Sequence, residues 1–458
     1  MKHARHCLLA LVIAATSSFP AAGAESLART PPMGWNSWDA YGFTIDEAAF
    51  KSNAEQLAKL KHYGWSYAII DEGWYMNNPE GNNRQTRDYQ LDAHGLLVPA
   101  VSRFPSARKG TGLRPLADWV HAQGLKFGIH IVRGIPRQAV QDDLPIAGSA
   151  FRAADAADTG ETCPWDDGNY GVRDNAAGQA YYDSMFRQYA AWKVDYVKVD
   201  CISSHPYRAT EIRQIAAAIK RAGRPMVLSL SPGPTDPRNA AEVARYAQLW
   251  RISNDIWDGW SFEHSKPGDD FPCGIETAFD NLARWSPYVG QGHWPDADML
   301  PFGLLAPHPG WGEARSSRLT PAEQQTQFVL WSIARSPLIL GGNLTRLDDP
   351  TRSLITHRGL IELNQDGWSG HPLTGLPPAL GQVRVWIASR NAPGKKGTVV
   401  ALFNLSPNAN TVSLPLDALA LAGAPHVLTD LLTGARLGKQ SAISVDLAAH
   451  ASAVYKID

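Results

Sequence analysis

Several short apolar segments of this sequence end in acidic residues, whose carboxyl groups could act as nucleophiles or as proton donors and acceptors. Asp200 ends residues 194–200, where β-branched and aromatic side chains alternate as in a buried strand. Asp71 and Glu72 follow the apolar segment 67–70. We expect Asp200 to be a nucleophile; the alternative is that it only caps the next turn, as aspartate often does.

Two more acidic segments follow later in the chain. Asp255 comes after the apolar run 248–252, and Asp296 and Asp298 lie within residues 294–300. If the acidic ends of these segments meet at one face of the fold, their side chains converge on a pocket. Two of the carboxyl groups could then form the pair that glycoside hydrolysis needs.

Strands and helices alternate between residues 33 and 342, and this alternation predicts the scaffold. The strand-like segments are 33–38, 67–70, 126–131, 194–200, 226–230, 248–252, 294–300 and 336–342. The helical patterns cover about 44–60, 116–122, 181–189, 211–220, 239–246, 276–285 and 320–333. Thr-x-x-Glu patterns at Thr44 and Thr320 predict the first turns of two of these helices.

Strands and helices that alternate in this way predict a parallel sheet, here a (β/α)8 TIM barrel with some long loops. In such a barrel the C-terminal ends of the strands form the working face. The longest loop, residues 133–173, is expected to be functional. An open doubly wound sheet is the alternative architecture, but the glycine-rich turn that usually follows its first strand is absent.

The two ends of the chain differ from this central part. Residues 1–24 combine a basic start, an apolar run at 7–15 and small residues up to Ala24, which predicts a cleaved export signal. We therefore expect a mature protein in the periplasm or outside the cell. Residues 25–367 would form the barrel, and the short strand-like runs of residues 368–458 predict a C-terminal antiparallel β-sandwich.

Composition narrows the classes of partner. The 458 residues carry a net charge of −1, so there is no electrostatic bias toward nucleic acid, and the 16 tryptophans suit stacking against sugar rings. We expect neither a nucleic-acid nor a membrane partner. Outside the export signal the cysteines are Cys163, Cys201 and Cys273, which allow one disulfide without indicating which two residues pair. Their spacing does not indicate a metal site.

The sequence resembles glycoside hydrolase family 27, the α-galactosidase or melibiase family, in motifs that occur in the family's order along the whole mature chain. These motifs are residues 28–35 with Trp38, 71–74 (DEGW), 198–200 (KVD), 250–251 (WR) followed by Asp255-Ile256, and 294–300 (WPDADML). Later similarities lie at 336–338, 364–366 and 430–434.

The resemblance implies a retaining exo-α-glycosidase, with α-galactosidase activity expected first, acting on oligosaccharides or polysaccharides without a cofactor. Asp200 is similar to the family's nucleophile and Asp255 to its acid/base. In retaining enzymes the two carboxyl groups lie about 5 to 5.5 Å apart. Lys198 would keep Asp200 ionised, and Arg251 would bind a sugar hydroxyl.

The resemblance also assigns the remaining substrate contacts. Trp38 would form an apolar wall for the sugar, whereas Asp71 and Glu72 would hold the hydroxyls far from the anomeric carbon. Asp298 would bind a further hydroxyl, with Asp296 behind it. In the same way, the resemblance implies a disulfide between Cys163 and Cys201, which leaves Cys273 outside it.

Four departures from the family pattern bear on the choice of substrate. Glu72 stands where the family usually has Asp, His130 stands where an α-galactosidase commonly has Tyr, and the loop that begins at Ser231 replaces a segment near the sugar's 2-hydroxyl. Cys201 follows Asp200 directly, where the family often has a residue between them. The alternatives within the family are α-N-acetylgalactosaminidase, β-L-arabinopyranosidase and isomalto-dextranase. Outside it, we considered a non-catalytic sugar-binding barrel and a metal-dependent barrel hydrolase.

Overall fold

The computed structural model describes residues 27–80, 87–264, 266, 271–308, 312–376, 380–392, 395–419, 421 and 425–458. The predicted export signal, residues 1–24, lies outside the described residues. Within them, no helix has the length and apolar character needed to cross a bilayer.

Strands and helices alternate in the N-terminal part of the molecule. Its strands are β1 Met33–Asn36, β2 Tyr67–Ile70, β3 Lys126–Val132, β4 Ile135–Pro136, β5 Ala157–Thr162, β6 Asn169–Val172, β7 Tyr196–Asp200, β8 Val227–Leu230, β9 Leu249–Arg251, β10 Trp294–Asp296, β11 Leu304–Leu305, β12 Arg315–Ser316 and β13 Leu338–Leu340. Its helices are α1 Trp38–Tyr41, α2 Glu47–Leu60, α3 Arg114–Ala122, α4 Arg137–Gln141, α5 Ala153–Ala156, α6 Ala176–Ala191, α7 Ala209–Ala222, α8 Ala240–Tyr246, α9 Ile275–Trp285, α10 Pro321–Ala334, α11 Asp349–Ile355 and α12 Arg358–Gln365.

The main sheet is a closed parallel barrel. Its eight strands lie in the order β10-β9-β8-β7-β3-β2-β1-β13, and every pair in this order is parallel. Just beyond β10, Leu300 closes the circle, because its N–H donates to Ile339 O at 2.8 Å and its carbonyl accepts from Gly341 N at 3.0 Å. The predicted (β/α)8 barrel is confirmed.

The two predicted helix starts have different outcomes. At α10 the capping box is present, since Glu323 N donates to Thr320 Oγ1 at 3.2 Å and Thr320 N donates to Glu323 Oε2 at 2.8 Å. The box predicted at Thr44 is wrong. Asp46 caps α2 instead, accepting from Ala49 N at 2.8 Å, while the Thr44 hydroxyl donates to the carbonyl of Tyr41.

The long loop after β3 has a fold of its own. It contains the short helices α4 and α5 and a three-stranded sheet in the order β4-β6-β5. The sequence did not show these strands, because β5 is short and largely polar and so lacks the alternation that marks a half-buried strand. This small sheet lies beside the C-terminal end of the barrel, where Arg133 N donates to Asp200 O at 3.1 Å.

The C-terminal part is antiparallel, as predicted. Its strands are β14 Ser369–Pro372, β15 Val383–Ala392, β16 Lys395–Asn404, β17 Asn410–Pro415, β18 His426–Asp430, β19 Arg436–Gln440, β20 Ala442–Leu447 and β21 Ser452–Ile457. Six of them form a sheet in the order β14-β15-β16-β21-β18-β19, and β17 pairs with β20. One face of this sheet packs into the same apolar core as the barrel helices, through buried side chains such as Trp386, Phe403 and Val454.

Candidate active site

One cavity lies at the C-terminal end of the barrel strands. Its volume is about 390 Å³, and acidic, basic and aromatic side chains line it. The structure brings all of the predicted catalytic and substrate-binding residues to its wall: Trp38, Asp71, Glu72, His130, Lys198, Asp200, Ser231, Arg251, Asp255 and Asp298. These side chains meet because each one lies in the C-terminal half of a strand of one parallel barrel or closely follows it.

Asp71 is a buried carboxylate at the end of β2. Lys198 Nζ donates to its Oδ2 at 2.9 Å, Asn36 Nδ2 donates to the same oxygen at 2.6 Å, and His130 Nε2 lies 4.0 Å from Oδ1. Burial alone would raise the pKa of Asp71, but Lys198 and His130 hold it well below its ordinary value. Asp71 is therefore an ionised acceptor, and its nearest cation is Lys198.

Asp200 sits at the end of β7 with one oxygen toward the cavity. Its side chain is 14% exposed, and Oδ1 is shielded, so Oδ2 provides the accessible face. Trp165 Nε1 donates to Oδ2 at 3.2 Å, and His130 Nε2 lies 3.8 Å from it, which is too far for a hydrogen bond. Burial would raise the pKa of Asp200, but His130 and Lys198 together lower it, so the group is ionised at neutral pH.

Asp255 and Asp298 share one arginine in the wall of the same cavity. Arg251 Nη2 lies 2.7 Å from Asp298 Oδ2 and 3.2 Å from Asp255 Oδ1. Asp255 is the more accessible acid, with 38% of its side chain exposed compared with 4% for Asp298. Burial raises the pKa of Asp298 to about 7 against the pull of Arg251, and the charge of Asp255 adds to the rise.

Asp296, expected behind Asp298, is buried, and its Oδ1 accepts the backbone N–H of Asp298 at 2.9 Å. This bond fixes the turn that aims Asp298 at Arg251.

Ser231 follows β8 and is held through its backbone, since its N–H donates to Val199 O at 2.9 Å. Arg133 is not in the cavity wall; it donates to Cys201 O at 2.8 Å and ion-pairs with Glu211 at 2.7 Å.

Glu72 belongs to a second charged group in the wall. Arg87 Nη1 lies 3.9 Å from Glu72 Oε1 and also ion-pairs with Asp166, to which Tyr89 donates at 3.3 Å. Burial, followed by the charge of Asp166, raises the pKa of Glu72 well above its ordinary value, although Arg87 opposes this. Glu72 therefore keeps its proton to a higher pH than an exposed glutamate does, and in that form it can donate a hydrogen bond.

The cysteines are arranged as the resemblance implied. Cys163 and Cys201 form a disulfide with a Cα–Cα distance of 5.9 Å, and Cys273 is buried outside it. Among the described residues, no group of three or more His, Cys, Asp or Glu side chains is arranged to hold a metal ion.

Comparison with known proteins agrees with this geometry. Residues 30–139 and 165–366 match the family model for α-galactosidase A, and residues 381–457 match the model for the α-galactosidase C-terminal β-sandwich domain. The chain belongs to glycoside hydrolase family 27. It is therefore an enzyme that hydrolyses glycosidic bonds, as predicted.

Relatives within this family differ in substrate. The α-galactosidase A of Cellvibrio japonicus is 31% identical over 346 residues, which are 75% of this chain and 69% of that protein. The crystal structure of a β-L-arabinopyranosidase from Geobacillus stearothermophilus is 41% identical, with a TM-score of 0.86 and coverage of 94% of this chain and 97% of that one. A putative α-N-acetylgalactosaminidase from Bacillus halodurans is 37% identical, with a TM-score of 0.79 and coverage of 93% and 97%.

Among the wall residues of this family 27 site that the sequence did not indicate are Asp39, Arg87, Trp165 and Asp166. Asp39 is buried beside Gly341, and burial raises its pKa well above the ordinary value. Asp39 directly follows Trp38, so its position next to a predicted site residue was the signal in the sequence that could have found it. Trp165 and Asp166 follow Cys163 in the long loop. The disulfide that the resemblance implied between Cys163 and Cys201 was the signal that this part of the loop lies near Asp200.

Proposed function

We propose that the protein is a retaining exo-glycosidase that removes one terminal sugar by double displacement, with Asp200 as nucleophile and Asp255 as acid/base. The observation that carries the proposal is the contrast between two acids in one cavity. Lys198 and His130 hold Asp200 ionised, and Asp255 is a more exposed acid that lines the same cavity. Retaining hydrolysis requires such a pair: an ionised nucleophile and a second carboxyl group that can exchange a proton with the leaving group and with water.

In the first step an electron pair of Asp200 attacks the anomeric carbon while Asp255 gives its proton to the oxygen of the leaving group. The bond between the anomeric carbon and that oxygen breaks, which leaves a glycosyl ester on Asp200. In the second step Asp255 takes a proton from water, whose oxygen attacks the same carbon and releases Asp200. Two inversions at this carbon retain its configuration.

The rest of the wall can recognise sugar hydroxyls. Asp71 and Lys198 offer a fixed acceptor and a fixed donor 2.9 Å apart, a spacing that suits neighbouring hydroxyls on one ring. Arg251 and Asp298 offer a second such pair at 2.7 Å. Trp38 adds an aromatic face against which a sugar ring can pack. A small cavity with charged groups on several sides fits one terminal ring.

Glu72 favours β-L-arabinopyranosides over α-D-galactosides as the best substrate. The two rings share their ring hydroxyl and anomeric configurations, and differ because arabinopyranose has no hydroxymethyl group on C5. Glu72 is one methylene longer than the family's usual Asp, and its side chain is buried beside Arg87 and Asp166. The extra length occupies room that a hydroxymethyl group would need. The 41% identity to the Geobacillus β-L-arabinopyranosidase supports the same choice.

α-D-Galactosidase activity, the first expectation from the sequence, is the second candidate. It is supported by the relatives that carry that name, including the α-galactosidase A of Cellvibrio japonicus. We also propose that the protein works in the periplasm or outside the cell, on neutral oligosaccharides or polysaccharides, since residues 1–24 have the pattern of an export signal.

The test uses aryl β-L-arabinopyranoside and aryl α-D-galactoside with the wild-type protein, Asp200→Asn and Asp255→Asn. We expect turnover of both glycosides, a higher kcat/KM for the arabinopyranoside, and a loss on the order of a thousandfold or more in Asp200→Asn. Proton NMR of the first product should show the anomer of the substrate. Failure to hydrolyse any α- or β-pyranoside would contradict the proposal, and an inverted first product would contradict the retaining mechanism.

Glu72→Asp tests the basis of the specificity. It should shift the ratio of the two kcat/KM values toward the galactoside by about tenfold or more, because one methylene in a pocket changes discrimination by that order. Glu211→Asp is the matched control, since Glu211 is also buried but binds Arg133 and Tyr182 outside the cavity. The ratio should not change in this control. An unchanged ratio in Glu72→Asp would exclude Glu72 as the cause of the preference.

A further inference from the structure

The indole of Trp165 contacts the oxygen of Asp200 that faces the cavity. Its Nε1 donates to Oδ2 at 3.2 Å, whereas Oδ1 is shielded from solvent. Oδ2 is therefore the oxygen that a sugar in the cavity can meet. A hydrogen bond to an ionised oxygen is stronger than one between neutral groups, and it weakens when that oxygen loses its charge.

Covalent and apolar contacts fix Trp165 in this place. Cys163 is two residues before Trp165, and its disulfide ends at Cys201, the residue after Asp200. Residues 163–165 and residues 200–201 are thus joined twice, once by the disulfide and once by the indole hydrogen bond. The two cysteines pack against Val132 in a small apolar cluster that also contacts Trp165.

Contacts on its other sides also hold the indole. Its ring meets His205 edge to face, with ring centroids 5.6 Å apart and an interplanar angle of 85°. The next residue, Asp166, is buried and ion-pairs with Arg87. The N–H of Trp165 is therefore oriented before any substrate binds, which is the condition under which a donor stabilises developing charge.

We propose that Trp165 is a positioning residue whose N–H stabilises Asp200 as it leaves the sugar in the second half of the reaction; this rests on the proposed retaining function. In the glycosyl ester, Oδ2 is bonded to the anomeric carbon and carries no full charge. When water attacks that carbon, the electron pair of the C–O bond returns to Oδ2, and Asp255 takes the proton from water. The hydrogen bond from Trp165 strengthens as this charge returns.

The same bond has the opposite effect on the first half of the reaction. It stabilises the free carboxylate before attack and is weakened when the ester forms, so it does not assist formation of the ester. Removing the N–H should therefore slow hydrolysis of the ester without slowing its formation. This separates a specific role of the hydrogen bond from general damage to the site, which would slow both halves.

The experiment compares wild type with Trp165→Phe, which keeps an aromatic ring and removes the N–H, on a dinitrophenyl glycoside whose good leaving group makes ester formation fast. We expect kcat to fall by about tenfold or more, as for loss of a hydrogen bond to a charged group. We expect kcat/KM to stay within about threefold of wild type. A burst of dinitrophenolate close to one per enzyme should precede the steady state, and azide should raise kcat by attacking the ester.

Trp257→Phe is the matched control, because Trp257 lines the same cavity but packs under the guanidinium of Arg315. The burst amplitude of Trp257→Phe should not exceed that of the wild type. A parallel fall of kcat and kcat/KM in Trp165→Phe without a burst, or unchanged kinetics, would overturn the role of Trp165. Asp200→Asn, assayed beside it, separates the two proposals, since full turnover by that variant would overturn the nucleophile assignment itself. A trapped 2-fluoroglycosyl ester on Oδ1 rather than Oδ2 would also overturn the role of Trp165.

Discussion

Lys198 and Asp71 form an ion pair beside the cavity, with Nζ 2.9 Å from Oδ2, although β3 lies between the two strands that carry them. The Asp71 side chain is 3% exposed and that of Lys198 15%. Burial would lower the pKa of Lys198, but Asp71 and Asp200 raise it. Each charge thus stabilises the other where water is largely absent, and both remain charged at neutral pH.

We predict that Lys198→Met destabilises the protein by about 3 to 5 kcal/mol in urea unfolding at neutral pH, because it leaves Asp71 buried without its cation. The folded pKa of Asp71 is depressed, so its contribution is present above the unfolded value of about 4 and is lost as the pH falls. The deficit of the variant should therefore shrink below about pH 4.

Lys193→Met is the control for this prediction. Lys193 pairs with Asp118 at 2.7 Å, but the side chains are 38% and 44% exposed. Breaking this pair should cost less than about 1 kcal/mol. Equal losses in the two variants would mean that burial does not strengthen the Lys198 pair.

A second prediction concerns the proton on Glu72. The raised pKa of Glu72 means that the folded state keeps this proton at pH values where the unfolded chain, above about pH 4.3, has released it. Wild-type stability should therefore fall as the pH rises from that value toward the raised pKa. Glu72→Gln has no such proton to lose. The Tm of this variant should therefore rise relative to the wild-type Tm, by about a few degrees, as the pH is raised from 4.5 to 8.

The comparison isolates Glu72 because the other buried acids are present in both proteins. Glu55→Gln is the control, since Glu55 is an exposed residue of α2. Its Tm difference from wild type should stay constant over the same pH range. A Glu72→Gln difference that is also constant would show that Glu72 is ionised in the folded protein.

A third prediction concerns the disulfide, which links residues 38 apart in the sequence. The double variant Cys163→Ser/Cys201→Ser should lose about 4 kcal/mol of unfolding free energy, mainly because the unfolded chain is no longer cross-linked. A reductant should lower the Tm of wild type but not that of the variant. Cys273→Ala should keep the wild-type response to reductant. If Cys273→Ala abolishes that response, the pairing is different.

A fourth prediction follows from the shared core of the two parts. Phe403 of β16 meets Phe279 of α9 at a centroid distance of 5.2 Å and an angle of 74°. We expect one calorimetric transition for the whole protein, and Phe403→Ala should lower its Tm at a cost of about 3 to 5 kcal/mol. Leu402, on the other face of β16, belongs to the sandwich's own core. If Leu402→Ala shifted only a separate transition, the two parts would unfold independently.

The strands of the barrel could be predicted because each is a short apolar run between helical patterns. The register of those strands then explains the site, since acids at strand ends are brought together once the sheet closes. The N-terminus of α2 could not be predicted in the same way. Thr44 and Asp46 are both capping residues by type, and packing of the chain before the helix decides between them.

The charged group around Glu72 shows the other limit. Arg87 and Asp166 are 79 residues apart in the sequence, and Trp165 is 35 residues from Asp200. Nothing in the local pattern of either segment indicates these contacts. They exist because the long loop folds into its own small sheet and is tied to β7 by a disulfide.

The sequence alone determined the order of the barrel strands and of the main helices between them, the family and the acids at the strand ends, since these depend on local periodicity and on short motifs. Only the tertiary structure decided which charges the acids carry. The pKa values of Asp200 and Glu72 are shifted in opposite directions, because burial penalises every charge and only a neighbouring cation or hydrogen-bond donor offsets it. Those neighbours come from distant segments, and folding is what places them.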